Sequence, residues 1–449
     1  MVKLKKFITV ALATTLASVA LVGCSTEEEP KTNEAGEEVG SVYYLNFKPE
    51  SEEVWKEIAK TYTEETGVEV KVVTAASGTY EQTLKSEITK EEAPTLFQVN
   101  GPVGYQSWKD YTADLSDTEL YSMLLNPDLA ISEGEGVYGI PYVSEGYGII
   151  YNEAIMDKYF ALEGAKATSM DEIKNFETFS AVVEDMQARK ADLGIDGVFS
   201  STSLAPGEDW RWQTHLANLP VYYEYKDKGV SDTDALEMTY GEQFQNIFDL
   251  YINNSTVEPG LLGSKTVTDS MAEFALGKSA MVQNGNWGWG QISTVEGNTV
   301  LEEDVKFMPI YTGVEGEETQ GLCIGTENYF SVNAKASEAD QAATIDFVEW
   351  LFSSEAGKDY VTNDLGFIAP FNTFAEDETP QDPLAQEVLK YLGDESLTNV
   401  DWNFVSFPSQ AFKDNFGSAL LEYANGNMTW EDLQAYVVEQ WAAEKALTK

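Results

Sequence analysis

The feature that most constrains this chain is a glycine- and proline-rich stretch in its middle, residues 136–152, which reads GVYGIPYVSEGYGIIYN. Apolar, strand-like runs flank the three residues at its centre, Ser144, Glu145 and Gly146. The pattern predicts a strand that leaves one sheet, bends, and enters a second sheet. Gly146 and Gly148 would equally permit a hairpin within a single sheet. The local chemistry alone leaves both interpretations open.

Length and charge narrow the possible folds and functions. A chain of 449 residues exceeds what one ordinary hydrophobic core supports, so two domains are expected. The formal net charge of −48 argues against a face that binds nucleic acid or an anionic membrane, because such faces need clustered Lys and Arg. The acidic residues are spread along the chain, which indicates solubility rather than a particular ligand.

The inventory of reactive residues argues against several kinds of catalytic site. The chain has one histidine, His215, and two cysteines, Cys24 and Cys323. Ser-His-Asp, Cys-His and His-rich zinc sites are therefore nearly excluded, and neither a metal nor a cofactor is expected. We predict a structural role for His215, and a small apolar role without a disulfide for Cys323.

Residues 1–23 have the pattern of a secretory signal peptide, with three lysines ahead of an apolar run that ends in LVGC. This ending resembles the lipobox of bacterial lipoproteins. The resemblance implies cleavage before Cys24, a diacylglycerol on its sulfur, and acyl chains such as palmitate that anchor the protein to the outer face of the cell membrane. A retained transmembrane helix is the alternative, but the run is short for one. The acidic, polar residues 24–40 predict a disordered tether.

Three stretches occur in order along the chain and together resemble one protein family. The first is YGIPYVSEGYGIIYNEAIMDKY, the second is FALGKSAMVQNGNWGWG at residues 274–290, and the third is AATIDFVEWLFSSEAGKDYV at residues 342–361. They are similar to the extracellular carbohydrate-binding proteins of ABC importers, the family that includes maltose-binding protein. The resemblance implies an α/β, two-lobe periplasmic-binding-protein-like fold with three interlobe crossovers, and it favours the hinge interpretation of residues 136–152.

The expected lobes are discontinuous in sequence. Lobe 1 is predicted to comprise residues 41–143 and 328–375, and lobe 2 residues 147–325 and 379–449. A strand–helix–strand pattern opens lobe 1 and predicts a βαβ unit with a parallel sheet. In open α/β sheets, ligands bind at the carboxyl ends of the strands, which directs attention to the loops that follow them.

Polar residues in these loops are the first set of candidate ligand contacts. Lys48 and Glu50 follow the first predicted strand, and Asn100 ends a later strand that faces the same edge. In the family the corresponding loops bind sugar hydroxyls, although the acidic residue expected in the second loop is missing here. Glu145, in the mid-chain stretch, matches a hinge glutamate that contacts sugar in the family. The alternatives are a plain turn role for Asn100 and a solvated turn role for Glu145.

Aromatic residues are the second set of candidates, because an aromatic face can cover the apolar C–H face of a sugar ring. They lie in PGEDWRWQTHLANLP, in NGNWGWG, and in NVDWNFVSF. In family members an aromatic residue of the second segment stacks on sugar, and the third segment matches a crossover where an aromatic residue contacts ligand. Burial in the core is the alternative for each. The candidates, with their polar neighbours, are Trp210, Arg211, Asn286, Trp287, Trp289, Asp401, Trp402 and Phe404.

Residues and resemblance together predict a lipid-anchored, monomeric binding protein without catalytic activity. It would capture a carbohydrate, an oligosaccharide, between its lobes and deliver it to the subunits of an ABC permease. One alternative is a secreted glycoside hydrolase that uses two carboxylates such as Glu145 and Asp401. Another is the same fold with a peptide, a polyamine or a metal chelate as its ligand. Clustered tryptophans with few basic residues favour a sugar or a cation over an anion.

Overall fold

The structure, a computed structural model, describes residues 39–76 and 78–447. From Gly40 onward these residues form one compact unit. The predicted signal peptide, the lipidation site Cys24 and nearly all of the predicted tether lie outside the described residues. Within the described part, no helix combines the length and the apolar character that crossing a membrane requires.

Strands and helices alternate at the start of the chain, up to the third strand, and later parts contain runs of strands and runs of helices. The strands are β1 (Val42–Asn46), β2 (Val70–Thr74), β3 (Leu96–Asn100), β4 (Ile131–Glu133), β5 (Gly136–Pro141), β6 (Glu145–Asn152), β7 (Gly197–Phe199), β8 (Ser279–Gly285), β9 (Val305–Met308), β10 (Gln320–Gly325), β11 (Asn328–Val332) and β12 (Thr398–Asp401). The α-helices are α1 (Glu52–Thr66), α2 (Tyr80–Glu87), α3 (Gly101–Trp108), α4 (Glu119–Ser122), α5 (Glu153–Phe160), α6 (Phe176–Ala188), α7 (Lys190–Leu193), α8 (Asn218–Lys228), α9 (Gly241–Asn253), α10 (Val267–Ala275), α11 (Trp289–Ser293), α12 (Glu338–Ser353), α13 (Glu355–Asp359), α14 (Pro383–Gly393), α15 (Gln410–Ala424) and α16 (Trp430–Leu447).

The first sheet, called sheet I, has the strand order β2-β1-β3-β11-β5-β4. The predicted βαβ unit is confirmed, because β1 and β2 pair in parallel and α1 connects them. Helix α1 buries Trp55, Ile58 and Tyr62, whose spacing of three and four residues places them on one helical face. The helix ends at Gly67, which adopts the left-handed conformation that glycine tolerates without a steric penalty.

The second sheet, called sheet II, has the strand order β12-β10-β6-β8-β7, with β9 also paired to β6. Consecutive strands change sheet: β5 lies in sheet I and β6 in sheet II, and β10 lies in sheet II and β11 in sheet I. The hairpin interpretation of residues 136–152 is therefore wrong. A backbone hydrogen bond of 2.8 Å from Ser144 N to Ile368 O ties this connection to a later segment of the chain.

The buried apolar side chains divide in the same way as the sheets. The clusters around sheet I draw their buried members from residues 42–143 and 329–371. The clusters around sheet II draw theirs from residues 147–324 and 384–441. Each sheet therefore has its own hydrophobic core, and we call the two parts of the molecule the sheet I side and the sheet II side.

Candidate functional site

Three polar side chains meet where the chain passes between the sheets. Lys48 follows β1, Glu145 begins β6, and Asn328 begins β11. Lys48 Nζ donates to Glu145 Oε1 at 2.8 Å, and Asn328 Nδ2 donates to Glu145 Oε2 at 2.9 Å. All three residues are buried. Both oxygens of the Glu145 carboxylate therefore accept hydrogen bonds from protein donors, and its contact with a ligand stays a prediction.

The loop after β1 holds Lys48 in this position. The side chain of Asn46 accepts from Lys48 N at 3.0 Å and donates to Lys48 O at 2.8 Å, which fixes the turn. Glu50 lies on the exposed side of the same loop, 3.9 Å from Lys48 Nζ. Burial acts to lower the pKa of Lys48, but the attraction of Glu145 and Glu50 outweighs it, so the pKa is raised. Lys48 stays charged.

Three tryptophans from the sheet II side lie next to this ion pair, and we call them the tryptophan surface: Trp210, Trp287 and Trp402. The ring centroids of Trp210 and Trp287 are 6.2 Å apart, and those of Trp287 and Trp402 are 6.4 Å apart. Trp210 and Trp287 are partly exposed, whereas Trp402 is 6% exposed. Lys48 Nζ is 5.7 Å from the Trp287 ring centroid, so the aromatic and charged groups form one site.

Two glycines at strand ends let these rings lie against the backbone. A Cβ on Gly285, the last residue of β8, would be 2.1 Å from Cζ3 of Trp287. A Cβ on Gly325, the last residue of β10, would be 2.6 Å from Cγ of Trp402. Any larger residue at either position would displace the indole, so glycine is required here for the close approach.

His215 supports the tryptophan surface from behind. Its ring stacks on Tyr147 with centroids 4.3 Å apart and meets Trp210 edge-on at 5.1 Å and Trp287 at 5.5 Å. Burial lowers the pKa of His215 well below its usual value, and the nearby cations add to this effect. The imidazole is therefore neutral and acts as an aromatic packing group.

Some predicted contact residues lie in the interior. Arg211 is 0% exposed and Phe404 is 0% exposed, so neither side chain reaches the surface. The Arg211 guanidinium donates to Gln283 O at 2.8 Å, and also to the hydroxyls of Ser203 and Ser270. Asn286 is also buried, and its Oδ1 accepts from Gly146 N at 2.9 Å. The polar groups or rings of these three residues contact other protein atoms here, and their contact with a ligand stays a prediction.

The remaining predicted residues lie at the edges of the site formed by the ion pair and the tryptophan surface. Asn100 is partly buried, accepts from Gln98 Nε2 at 2.8 Å, and pairs with Asn328 across β3 and β11, which places it beside the ion pair. Trp289 is partly exposed and packs against a core cluster of the sheet II side. Asp401 is exposed at the end of β12, and partial burial of its carboxyl raises the pKa of Asp401.

Three charged residues that interact electrostatically between the sheet I side and the sheet II side were not predicted from the sequence. Glu81 lies on α2 of the sheet I side, Lys413 on α15 of the sheet II side, and Glu327 directly precedes β11. Burial lowers the pKa of Lys413, and the attraction of Glu327 and Glu81 opposes this shift. Burial raises the pKa of Glu327 despite the attraction of Lys413. The sequence did offer a clue to Glu327. Glu145 begins a strand that was predicted to pass from one lobe to the other, and Glu327 directly precedes a second such strand.

Other concave and acidic features lie apart from this region. A surface cavity of about 690 Å³ lies on the sheet I side, between the end of α1 and the segment around α13, and its lining includes Glu65, Asp359 and Glu378 but no aromatic ring. Among the described residues, no group of three or more His, Cys, Asp or Glu side chains is arranged to hold a metal ion. The charged network beside the tryptophan surface is the better candidate for ligand binding.

Comparisons with known proteins agree with this geometry. A family model described as "Bacterial extracellular solute-binding protein" matches residues 57–387. A chitin oligosaccharide binding protein superimposes with a TM-score of 0.72 at 16% identity, over 91% of this chain and 99% of that chain. The solute-binding protein RafE in complex with raffinose gives 0.67 at 20% identity, over 91% and 99%. A sugar transporter from Bacillus licheniformis in complex with stachyose gives 0.64 at 16% identity, over 90% and 100%.

At these identities the solved structures show a shared fold. The two sheets and their helices match the two-lobe fold of solute-binding proteins, as predicted. No curated protein sequence matches the chain significantly.

The buried pair of Lys48 and Glu145 predicts a specific pattern of stability changes. Glu145→Gln keeps the shape of the side chain but leaves a buried ammonium without its closest counter-charge, so we expect a loss of about 3–5 kcal/mol in the free energy of unfolding. Adding Lys48→Met should recover most of this loss. Glu53→Gln, in the exposed Lys56–Glu53 pair, is the control and should cost less than about 1 kcal/mol. Urea denaturation of the wild type and the three variants measures this, and a double variant no more stable than Glu145→Gln would contradict the pairing.

Proposed function

Because the chain belongs to the family of bacterial extracellular solute-binding proteins, we propose that it captures a carbohydrate, an oligosaccharide, and delivers it to the permease subunits of an ABC importer. The observation that carries the proposal is the tryptophan surface beside a network of charged side chains. Aromatic faces cover the apolar face of a sugar ring, while charged and polar groups bond its hydroxyls. The names of structural neighbours support the ligand class, since they mention chitin oligosaccharide, raffinose and stachyose.

The proposed binding site lies between two lobes. We assign lobe 1 to residues 41–143 and 328–375, and lobe 2 to residues 147–325 and 379–449. The separate cores of the two sheets support these boundaries. Close contact between the sides at their rims supports a closed state: a Cβ on Gly101 would lie 2.8 Å from Cβ of Val405. Hinge closure around a ligand is an established motion for this class of protein.

Binding without catalysis is the better supported alternative. A glycoside hydrolase needs one carboxyl group as acid and another as base or nucleophile. Glu145 was the first candidate for such a role, but both of its oxygens accept hydrogen bonds from Lys48 and Asn328. The structural neighbours named above are described as binding or transport proteins. Peptides, polyamines and metal chelates remain as rival ligands, and thermal unfolding with added ligands separates peptides and polyamines from sugars.

We further propose that lipid on Cys24 anchors the protein, as a monomer, to the outer face of the membrane, which keeps it near the permease. The proposal rests on LVGC at the end of an apolar run. Protein from its native host should partition with membranes, and mass spectrometry should find Cys24 at the new N-terminus with a diacylglycerol on its sulfur. Cys24→Ser should leave the membrane fraction. Retention of residues 1–23, or an unmodified Cys24, would exclude lipid anchoring.

The ligand class is tested by thermal unfolding of the full chain with panels of oligosaccharides, polyamines and peptides. A ligand at about 100 times its dissociation constant should add about 2.7 kcal/mol to stability, which raises the midpoint by a few degrees. We expect this rise with oligosaccharides, and we expect the sugar to stay intact on long incubation. A rise confined to polyamines or peptides would assign another ligand, and released monosaccharide would indicate a hydrolase.

Trp287→Ala tests the role of the tryptophan surface. The variant should lose roughly 1–3 kcal/mol of sugar binding, because the ring no longer covers apolar sugar surface. Its folding stability should change little, since Trp287 is partly exposed. Trp350→Ala, a partly exposed tryptophan on α12 of the sheet I side, is the matched control and should bind sugar like the wild type. If Trp287→Ala unfolds with a loss of about 3–5 kcal/mol yet binds normally, the ring is a core residue.

A further inference from the structure

We propose that the binding site accepts neutral and amino-substituted saccharides and rejects acidic ones, and that Glu327 is the residue that determines this specificity. The inference rests on the proposed function and narrows its substrate class. It is derived from a network of charged side chains that begins at Lys48, beside the tryptophan surface. Its other members are Glu50, Glu81, Glu145, Glu327 and Lys413. In this set, four carboxylates face two ammonium groups, so a negative ligand enters a site with an excess of negative charge.

Both ammonium groups already have carboxylate neighbours. Lys48 Nζ is 2.8 Å from Glu145 Oε1 and 3.9 Å from Glu50 Oε1. Lys413 interacts electrostatically with Glu327 and Glu81. An incoming carboxylate or sulfate therefore finds no cation without a counter-charge in this network. It would also lose its own hydration, which is costly for a charged group that enters a partly buried site without a partner.

Glu327 connects the two parts of the network. It interacts electrostatically with Lys413 on one side and with Lys48 and Glu145 on the other. Its position is fixed by the backbone, because Gly101 N donates to Glu327 O at 3.1 Å and the next residue, Asn328, is bonded to Glu145. The residue is partly exposed, and within the described part of the chain its carboxylate accepts no hydrogen bond. Glu327 can therefore accept hydrogen bonds from hydroxyl or ammonium groups of a ligand.

The network lies close enough to the tryptophan surface to act on a stacked sugar. Lys48 Nζ is 5.7 Å from the Trp287 ring centroid. His215, which packs against Trp287, interacts electrostatically with both Lys48 and Lys413. Charges act more strongly on each other here than in bulk water, because the surrounding protein lowers the effective dielectric constant. A charged group on a stacked sugar therefore interacts with the network to which Glu327 belongs.

The test compares derivatives of one trisaccharide that differ in charge but hardly in shape. The parent is raffinose or triacetylchitotriose, whichever stabilises the full chain more. One primary alcohol is converted to a carboxylate, to its neutral carboxamide, or to an amine. Isothermal titration should give carboxylate binding about tenfold or more weaker than carboxamide binding, with the amine at least as tight as the carboxamide. Glu327→Gln should narrow the carboxylate–carboxamide ratio by about threefold or more.

The control separates the local effect of Glu327 from the net charge of the whole protein. Glu64→Gln removes the same charge from an exposed position in the last turns of α1, about 20 Å along the helix from the end that follows Lys48. It should leave the ratio unchanged, and unfolding curves should confirm that both variants are folded. Equal binding of carboxylate and carboxamide by the wild type, or an equal ratio in Glu327→Gln and wild type, overturns the inference while sugar binding stands. Binding of no oligosaccharide in the ligand panel overturns the proposed function and the inference together.

Discussion

The buried contact of Lys48, Glu145 and Asn328 is the interaction on which the arrangement of the two sheets depends. It joins the loop after β1 to both segments where neighbouring strands change sheet. Burying two charges is costly, and their attraction repays the cost only when geometry and further hydrogen bonds are good. An apolar replacement could be as stable. The polar contact also fixes the relative positions of three chain segments, because its hydrogen bonds require one geometry whereas apolar groups can repack.

The aromatic part of the site depends on this arrangement. Trp287 follows β8, and Trp402 follows β12. Each indole lies on a glycine at a strand end, Gly285 of β8 for Trp287 and Gly325 of β10 for Trp402. All three strands belong to sheet II, as does β6, which carries Glu145. The register of sheet II therefore sets the distance between the tryptophan surface and the ion pair. His215 fills the space behind the rings, which leaves little freedom for them to tilt.

Periodicity predicted the βαβ unit. The change of sheet at residues 136–152 was predicted from the family resemblance, because the local chemistry there permits a hairpin equally well. Individual contacts were harder to predict. Glu145 was expected to face a ligand, but its partner Lys48 lies 97 positions earlier, and no local pattern reports such a pairing. Arg211 and Trp210 are neighbours in sequence, yet one is buried and one is partly exposed. The π-helical turn Arg211–Leu216 departs from the usual helical period, so the buried face could not be read from spacing.

In the proposed function, the charged network would also link ligand binding to closure of the two lobes. Lys413 comes from the sheet II side and Glu81 from the sheet I side, so their interaction exists only while the two sides are close. Burial lowers the pKa of Lys413, which means that its ammonium loses hydration in the closed state, and the nearby carboxylates compensate only in part. A ligand shifts such an equilibrium by its difference in affinity for the two states. A sugar that bonds Glu327 and stacks on Trp287, as we propose, would gain both contacts only in the closed state, so these two residues would supply the difference that favours closure.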